Sequence, residues 1–143
     1  MPPQHIAILE DNDGRTNEMK SVLKETHPDI PYTIKYNADD FISWLTGNIE
    51  RVSLICLDHD LDPGPASDPR RDMGDGRQVV RWLIGQSTLV PVLIHTSNGI
   101  FGAQMETLLK EAGWKVYWTP PYEDLAWIRR SWIRRVGEMM LPG

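Results

Sequence analysis

Cysteine is almost missing from this chain. Cys56 stands alone among 143 residues, which excludes an intrachain disulfide and any zinc centre built on clustered thiolates. Long apolar runs are missing as well: no stretch approaches the roughly 18 residues that a membrane-crossing helix requires. The Met1-Pro2-Pro3-Gln4-His5 start lacks a basic and then apolar leader, so the expected location is cytoplasmic. Positive charge is in deficit, with 15 Lys+Arg against 20 Asp+Glu and a formal net charge of −5. That balance argues against nonspecific nucleic-acid binding over the whole surface, since such binding is driven by cations that neutralise phosphates. The C-terminal end has the opposite sign, through Arg129, Arg130, Arg134 and Arg135. What is present, 41% hydrophobic and 24% charged residues, is the composition of a soluble globular protein, and the length suits one domain spanning 1–143.

Short apolar runs alternate with segments of helical period, a pattern that implies a parallel sheet with crossover helices. The runs are His5–Leu9, the weaker Tyr32–Tyr36, Val52–Leu57, Val90–Ile94 and Trp114–Trp118. Between them, apolar residues fall at helical spacing: Met19, Val22 and Leu23; Phe41, Ile42, Trp44 and Leu45; Val79, Val80, Leu83 and Ile84; Met105, Leu108, Leu109 and Ala112. Gly113 sits where a helix C-terminal glycine belongs. From about Glu123 to Met140 the last segment places Leu125, Ile128, Trp132, Val136 and Met139 on one face. Trp127, Arg130 and Arg134 fall on the opposite face, where they form a candidate partner or homodimer surface, Trp and Arg being enriched at binding hot spots. The fold class is therefore α/β, a (βα)5 doubly wound parallel sheet of order 2-1-3-4-5. One connection breaks the rhythm: residues at about 59–75 are too rich in Pro, Gly and Asp for regular structure and too many for an ordinary α/β loop.

In such a sheet ligands bind beyond the carboxyl ends of the strands, where strand order reverses. The first run ends in Glu10-Asp11, with Asp13 following, and the third ends in Asp58, with Asp60 and Asp62 following. Carboxylates brought together repel one another, and a hard cation such as Mg2+ (or Mn2+) relieves them while keeping room for a phosphate oxygen. Glu10, Asp11, Asp58 and Asp60 are the candidate ligands; the competing reading is a solvated acidic rim. The fourth run ends His95-Thr96-Ser97-Asn98-Gly99, where Thr96, Ser97 and Asn98 offer donors to a phosphate or simply cap the next helix. Asp58, Asp60 and Asp62 suggest an EF-hand, but the glycine falls one place late and Pro69 stands where the bidentate Glu belongs, which excludes it. Arg70 and Arg71, in the long loop, would either clamp a phosphate or neutralise Asp68 and Asp72.

Over nearly its full length the chain resembles a response-regulator receiver domain. The segment Ile6-Ala7-Ile8-Leu9-Glu10-Asp11 is similar to the receiver strand and acidic pair, which implies metal-site roles for Glu10 and Asp11. Leu54–Asp58 resembles the strand delivering the phospho-accepting aspartate, here Asp58, and Met73-Gly74-Asp75-Gly76 resembles the opening of the third helix. Pro91–Ser97 resembles the strand that ends in the switch hydroxyl, here Thr96, and Val116–Tyr122 the Lys-Pro segment after the fifth strand. There the family's lysine falls at Pro120, and proline carries no ammonium. The combination Leu57-Asp58-His59-Asp60-Leu61 with His95-Thr96-Ser97-Asn98, Gly102 and Met105 resembles a variant branch, the cyclic-phosphate-processing receiver domains.

That resemblance implies a metal-assisted site that binds or hydrolyses a phosphate-bearing small molecule, such as a cyclic phosphate or nucleotide. His59 and His95 would act there as acid and base beside Asp58, since imidazole titrates near neutrality. The alternative is a receiver phosphorylated on Asp58 in two-component signalling, working with a partner protein. A non-enzymatic pseudo-receiver and a Toprim-like nucleic-acid site built on Glu10, Asp58 and Asp60 are further readings, the last leaving Thr96 and Thr119-Pro120-Pro121 without a role.

Overall fold

The computed structural model describes residues 4–58 and 74–140. Five parallel strands, β1 (Ile6–Leu9), β2 (Tyr32–Lys35), β3 (Leu54–Leu57), β4 (Val92–Ile94) and β5 (Val116–Trp118), form one sheet. Their order is β2-β1-β3-β4-β5, the order expected from the alternation of runs and helical segments. Every residue of β1 and β3 is buried, which is why both read as continuous apolar runs rather than alternating ones. The paired stretches are shorter than the apolar runs because His5, Val52, Val90 and Trp114 lead into the ladder instead of joining it.

Four helices alternate with the strands: α1 (Asp13–Thr26), α2 (Ala38–Asn48), α3 (Gly76–Leu83) and α4 (Gly99–Glu111). Each begins at an Asn or Asp whose side chain accepts a backbone N–H of the first turn: Asn12, Asn37, Asp75 and Asn98. These caps satisfy donors that a helix start leaves without intrahelical partners. Gly113 follows α4 with φ +90°, and the Gly113 N–H and the Trp114 N–H turn back to the carbonyls of Lys110 and Leu109. A left-handed residue of this kind ends a helix at least cost when it is glycine. Ile84 just past the end of α3, Leu108 on α4 and Ala112 just past its end are exposed, so these three of the helical apolar residues are outside the core. No described helix is long and apolar enough to cross a membrane.

The sheet separates two apolar layers. Leu9, Leu57 and Ile94 face Phe41, Leu45, Val80, Leu83, Met105 and Leu109 from α2, α3 and α4. Ile8, Cys56 and Leu93, one residue earlier on the same strands, face Met19 and Leu23 of α1 and the last helical segment. Alternation of side chains along a strand has a direct consequence. The residues that follow, Glu10, Asp58 and His95, return to the face of α1 and the last helix.

That last segment corrects one expectation. It runs through a π turn, Ile128–Trp132, before continuing as α5 (Ile133–Met140). Ile128, Trp132, Val136 and Met139 are buried as the spacing predicts, but Trp127 is fully buried too. In a regular helix residues five apart diverge, whereas the wider π turn brings them onto one face. Trp127 and Trp132 therefore both enter the core, and Trp127 forms no partner surface. Arg130 and Arg134 stay exposed, and Arg130 pairs with Glu123.

A buried acidic pair and its cation

Register places the site. Leu9 of β1 pairs with Leu57 of β3, and the Asp58 N–H donates to the Leu9 carbonyl at 3.1 Å, so Glu10 and Asp58 leave the sheet side by side. The His95 N–H donates to the Leu57 carbonyl at 2.9 Å and completes the row on the neighbouring strand. Among the described residues, Glu10, Asp11 and Asp58 offer oxygens that all lie within 4.8 Å of one another. A set of hard carboxylate oxygens fits Mg2+ or Mn2+ and not a thiophilic metal. Asp60 and His59 lie outside the described residues, as do Asp62, Arg70 and Arg71.

Glu10 is held from all sides. Its Oε2 accepts the N–H groups of Asp11 and Asn12 at 3.0 and 3.1 Å, which folds the carboxylate back over the start of α1. Its Oε1 lies 3.2 Å from His95 Nε2 and 3.4 Å from Arg15 Nη1. The imidazole stands within hydrogen-bonding distance but off the line of a well-aligned bond, and neither ring nitrogen of His95 has another partner among the described residues. Burial alone would push the Glu10 carboxyl up; His95, the Asn12 N–H and Arg15 outweigh it and hold the pKa below the usual carboxylate range.

His95 is fully buried and stacks on Trp127, with ring centroids 6.0 Å apart. The Arg15 guanidinium lies over the same indole at 5.6 Å from its centroid, a cation–π distance. Arg15 Nη1 also stands 3.6 Å from Asp58 Oδ2. Trp127 thus backs both His95 and Arg15, the imidazole within the core and the guanidinium toward solvent. No residue-type motif marks Arg15 in the sequence. A faint signal exists: a cation in the first turn of a helix opposes the helix dipole, so its presence there asks for nearby carboxylates.

The fourth strand's end divides by face. Thr96 is buried on the α4 side; its Oγ1 accepts the Asn98 N–H at 3.1 Å and its carbonyl accepts Trp118 Nε1–H at 3.0 Å. Gly102 makes this approach possible, since a Cβ there would stand 2.8 Å from Trp118 Cζ2 and 3.0 Å from Thr96 Cγ2. Asn98 caps α4, and Ser97 is exposed at the mouth of a cavity of about 320 Å³ that Asn12, Arg15, Pro121 and Tyr122 also line. Lys115 begins the fifth run at the opposite end of the strand, as its carbonyl accepts the Val92 N–H, and it supplies no ammonium to the carboxylates.

Comparison with known proteins agrees with the fold. A family model described as the cyclic-phosphate processing receiver domain matches residues 6–111. Among solved structures, the phosphorylated cyanobacterial phytochrome response regulator RcpA is similar with a TM-score of 0.73 and 16% identity, over 96% of this chain and 94% of that one. The Mn2+-bound response regulator Rcp1 has a TM-score of 0.64 and 23% identity, over 99% and 100% of the two chains. The BeF3-activated N-terminal receiver domain of RstA from Klebsiella pneumoniae has a TM-score of 0.62 and 19% identity, over 96% and 99%. No curated protein sequence matches.

Proposed function

The chain belongs to the cyclic-phosphate processing receiver domains, and from that premise we propose that it is a signalling receiver that accepts a phosphoryl group on Asp58. The observation that carries the reading is the grouping of Glu10, Asp11 and Asp58 at the reversal point of strand order, with Asp58 on the strand end where the family presents its acceptor. Glu10, Asp11 and Asp58 would hold a divalent cation, together with Asp60 if it comes to the same place. When bound, that ion supplies positive charge against the phosphoryl oxygens. An Asp58 carboxylate oxygen attacks the phosphorus of a phosphoramidate or acyl phosphate. A phosphorus–oxygen bond forms, the bond from phosphorus to the donor atom breaks, and the leaving group keeps that electron pair and takes a proton from water. Ser97 and Asn98 would offer donors to the transferred group, and Thr96, turned toward α4, would respond only through the Asn98 N–H that its Oγ1 holds. The partner is then a signalling protein that donates the phosphoryl group or reads it, and the location is cytoplasmic.

Incubation with a small-molecule phosphodonor and Mg2+ tests this reading by intact mass. One added phosphoryl group is expected in the wild type and none in Asp58→Asn; a folded wild type whose mass never changes sinks it.

The family description favours a second reading, hydrolysis of a cyclic phosphate. Water would add to phosphorus while the ring ester bond breaks and its oxygen takes up a proton, with His59 and His95 as the acid–base pair. The burial of His95 behind Glu10 weighs against direct contact of that imidazole with a substrate. A panel of cyclic nucleotides and cyclic phosphates in Mg2+ or Mn2+ separates the two readings, since turnover is expected only under the second.

A further inference from the structure

Pro120 leaves the site without the lysine that receiver domains place there, and the structure supplies another cation. We propose that Arg15 is the phosphoryl-binding cation of this site and that it exchanges partners, leaving Glu10 and Asp58 for the phosphoryl oxygens when a divalent cation is bound. This rests on the reading of Asp58 and its neighbours as a metal-assisted phosphoryl site.

Three observations carry it. First, Arg15 reaches two carboxylates at once, at 3.4 Å from Glu10 and 3.6 Å from Asp58. Both distances exceed those of a tight charge-assisted hydrogen bond, which run about 2.7–2.9 Å. The guanidinium is near enough to feel both charges and is locked to neither. Second, its side chain is 23% exposed whereas those of Glu10 and Asp58 are 0% and 5% exposed. Arg15 is therefore the one of the three that solvent reaches freely. Third, it is poised at an open space: the cavity of about 320 Å³ is lined by Arg15 together with Asn12, Ser97 and Tyr122, all bearing hydrogen-bonding groups. Glu123 lines it too, but pairs with Arg130 at 3.0 Å, and Asp124 adds an acceptor.

Charge then sets the order of events. Among the described residues, the three carboxylates carry a formal −3, which Arg15 alone lowers to −2 and a divalent cation alone lowers to −1. With a cation bound, the pull of the carboxylates on the guanidinium is weakened, and its planar fork of donors matches a tetrahedral anion beside Asp58. Trp127 keeps the stem in place, because the indole face under the guanidinium remains when the carboxylates no longer hold it.

The exchange predicts opposite signs for two ligands in one variant, which loss of structure would not produce. In Arg15→Gln, calorimetry with Mg2+ alone is expected to show affinity raised roughly three- to tenfold, because a competing positive charge is gone. In the presence of Mg2+, affinity for beryllium trifluoride as the analogue of a phosphoryl group on Asp58, or for inorganic phosphate as the analogue of a free phosphate ester, is expected to fall about ten- to hundredfold. Loss confined to beryllium trifluoride identifies the covalent phosphoryl group as the partner of Arg15; loss confined to inorganic phosphate identifies a free ester. Arg15→Lys keeps the charge without the fork and is expected to fall between wild type and Gln for both Mg2+ and anion. A wild type that binds Mg2+ and either anion, with Arg15→Gln unchanged for all of them, overturns the role of Arg15 alone. A wild type that binds neither anion overturns the phosphoryl site itself and Arg15 with it. Equal weakening of Mg2+ and anion in a folded Arg15→Gln also overturns the exchange, since it reports a structural role.

Discussion

The two faces of the sheet meet similar demands for apolar packing and answer them differently. Against α2, α3 and α4 the layer is closed, with Phe41, Leu45, Val80, Leu83, Met105 and Leu109 packed on Leu9, Leu57 and Ile94. Against α1 and the last helix it carries polar atoms: both nitrogens of His95 and the indole nitrogens of Trp127 and Trp132 are buried without hydrogen-bond partners, beside the buried carboxylates of Glu10 and Asp58. Buried polar groups left unpaired cost free energy, so their concentration beside Glu10 and Asp58 makes this the costlier face to pack. On the other face the unpaired buried atom among the described residues is Arg77 Nε, and that guanidinium lies over Phe101 at 4.0 Å from its centroid.

The largest expected effect comes from the closed face. Phe41→Ala removes a fully buried ring far in sequence from the carboxylates and is expected to lower stability by about 3–5 kcal/mol. Urea unfolding measures that loss, while Mg2+ affinity of the folded fraction should stay at the wild-type value. A change in that affinity would break the division between the faces.

Gly102→Ala comes next. The added Cβ would stand 2.8 Å from Trp118 Cζ2 and 3.0 Å from Thr96 Cγ2, tighter than ordinary contact, and is expected to cost about 1–3 kcal/mol. It also disturbs the Trp118 Nε1–H bond to the Thr96 carbonyl. The signature is a lowered melting temperature with Mg2+ affinity retained, because Thr96 faces α4 and not the acidic group.

His95→Leu sharpens the comparison from the open face. The substitution removes two unpaired nitrogens and one favourable neighbour of Glu10, and at neutral pH the change in stability is expected to stay within about 1–2 kcal/mol. Its effect is on acid stability. The folded pKa of Glu10 is lowered from the ordinary 4.5, so the unfolded chain takes up a proton first as pH falls. Glu10 therefore adds stability that is complete above pH 4.5 and is lost as pH drops through the lowered folded value. His95→Leu raises that folded value and should flatten the acid limb of the stability curve. An acid limb identical in both proteins would remove His95 from the electrostatics of the site.

Much of the fold was legible because it depends on patterns that single residues carry. Continuous apolar runs mark β1 and β3, the capping reading of Asn98 marks the start of α4, and Gly113 marks its end. The switch-point rule places Glu10, Asp11 and Asp58 together, as they are found. Other features of the site were hidden for definite reasons. A period of about 3.6 puts Trp127 on the outer face because it does not anticipate a π turn, whose extra residue per turn brings Trp127 inside. Arg15 carries no sequence signal of its own because its position is set by register across β1 and β3 and by the ring of Trp127, over a hundred residues away in sequence. His95 reads from sequence as an acid–base group or as a core residue of a covered strand, and its place against Glu10 follows from alternation along β4 once the opposite layers are assigned.

The smallest expected effect tests whether the open face is held from within or from outside. Arg129 bridges the last helical segment to α1, with Nε at 2.5 Å from Glu18 and Nη1 at 2.7 Å from Glu25, and all three side chains reach solvent. Exposed ion pairs contribute little and are screened by salt. Arg129→Ala is therefore expected to lower the melting temperature slightly at low ionic strength, with the difference vanishing at high salt, and to leave Mg2+ affinity unchanged. If that affinity falls instead, the outer bridge sets the spacing of α1 and the last helix at the site. The stack of Arg15 and His95 on Trp127 would then follow from that spacing. If affinity holds, the stack itself keeps the carboxylates in place.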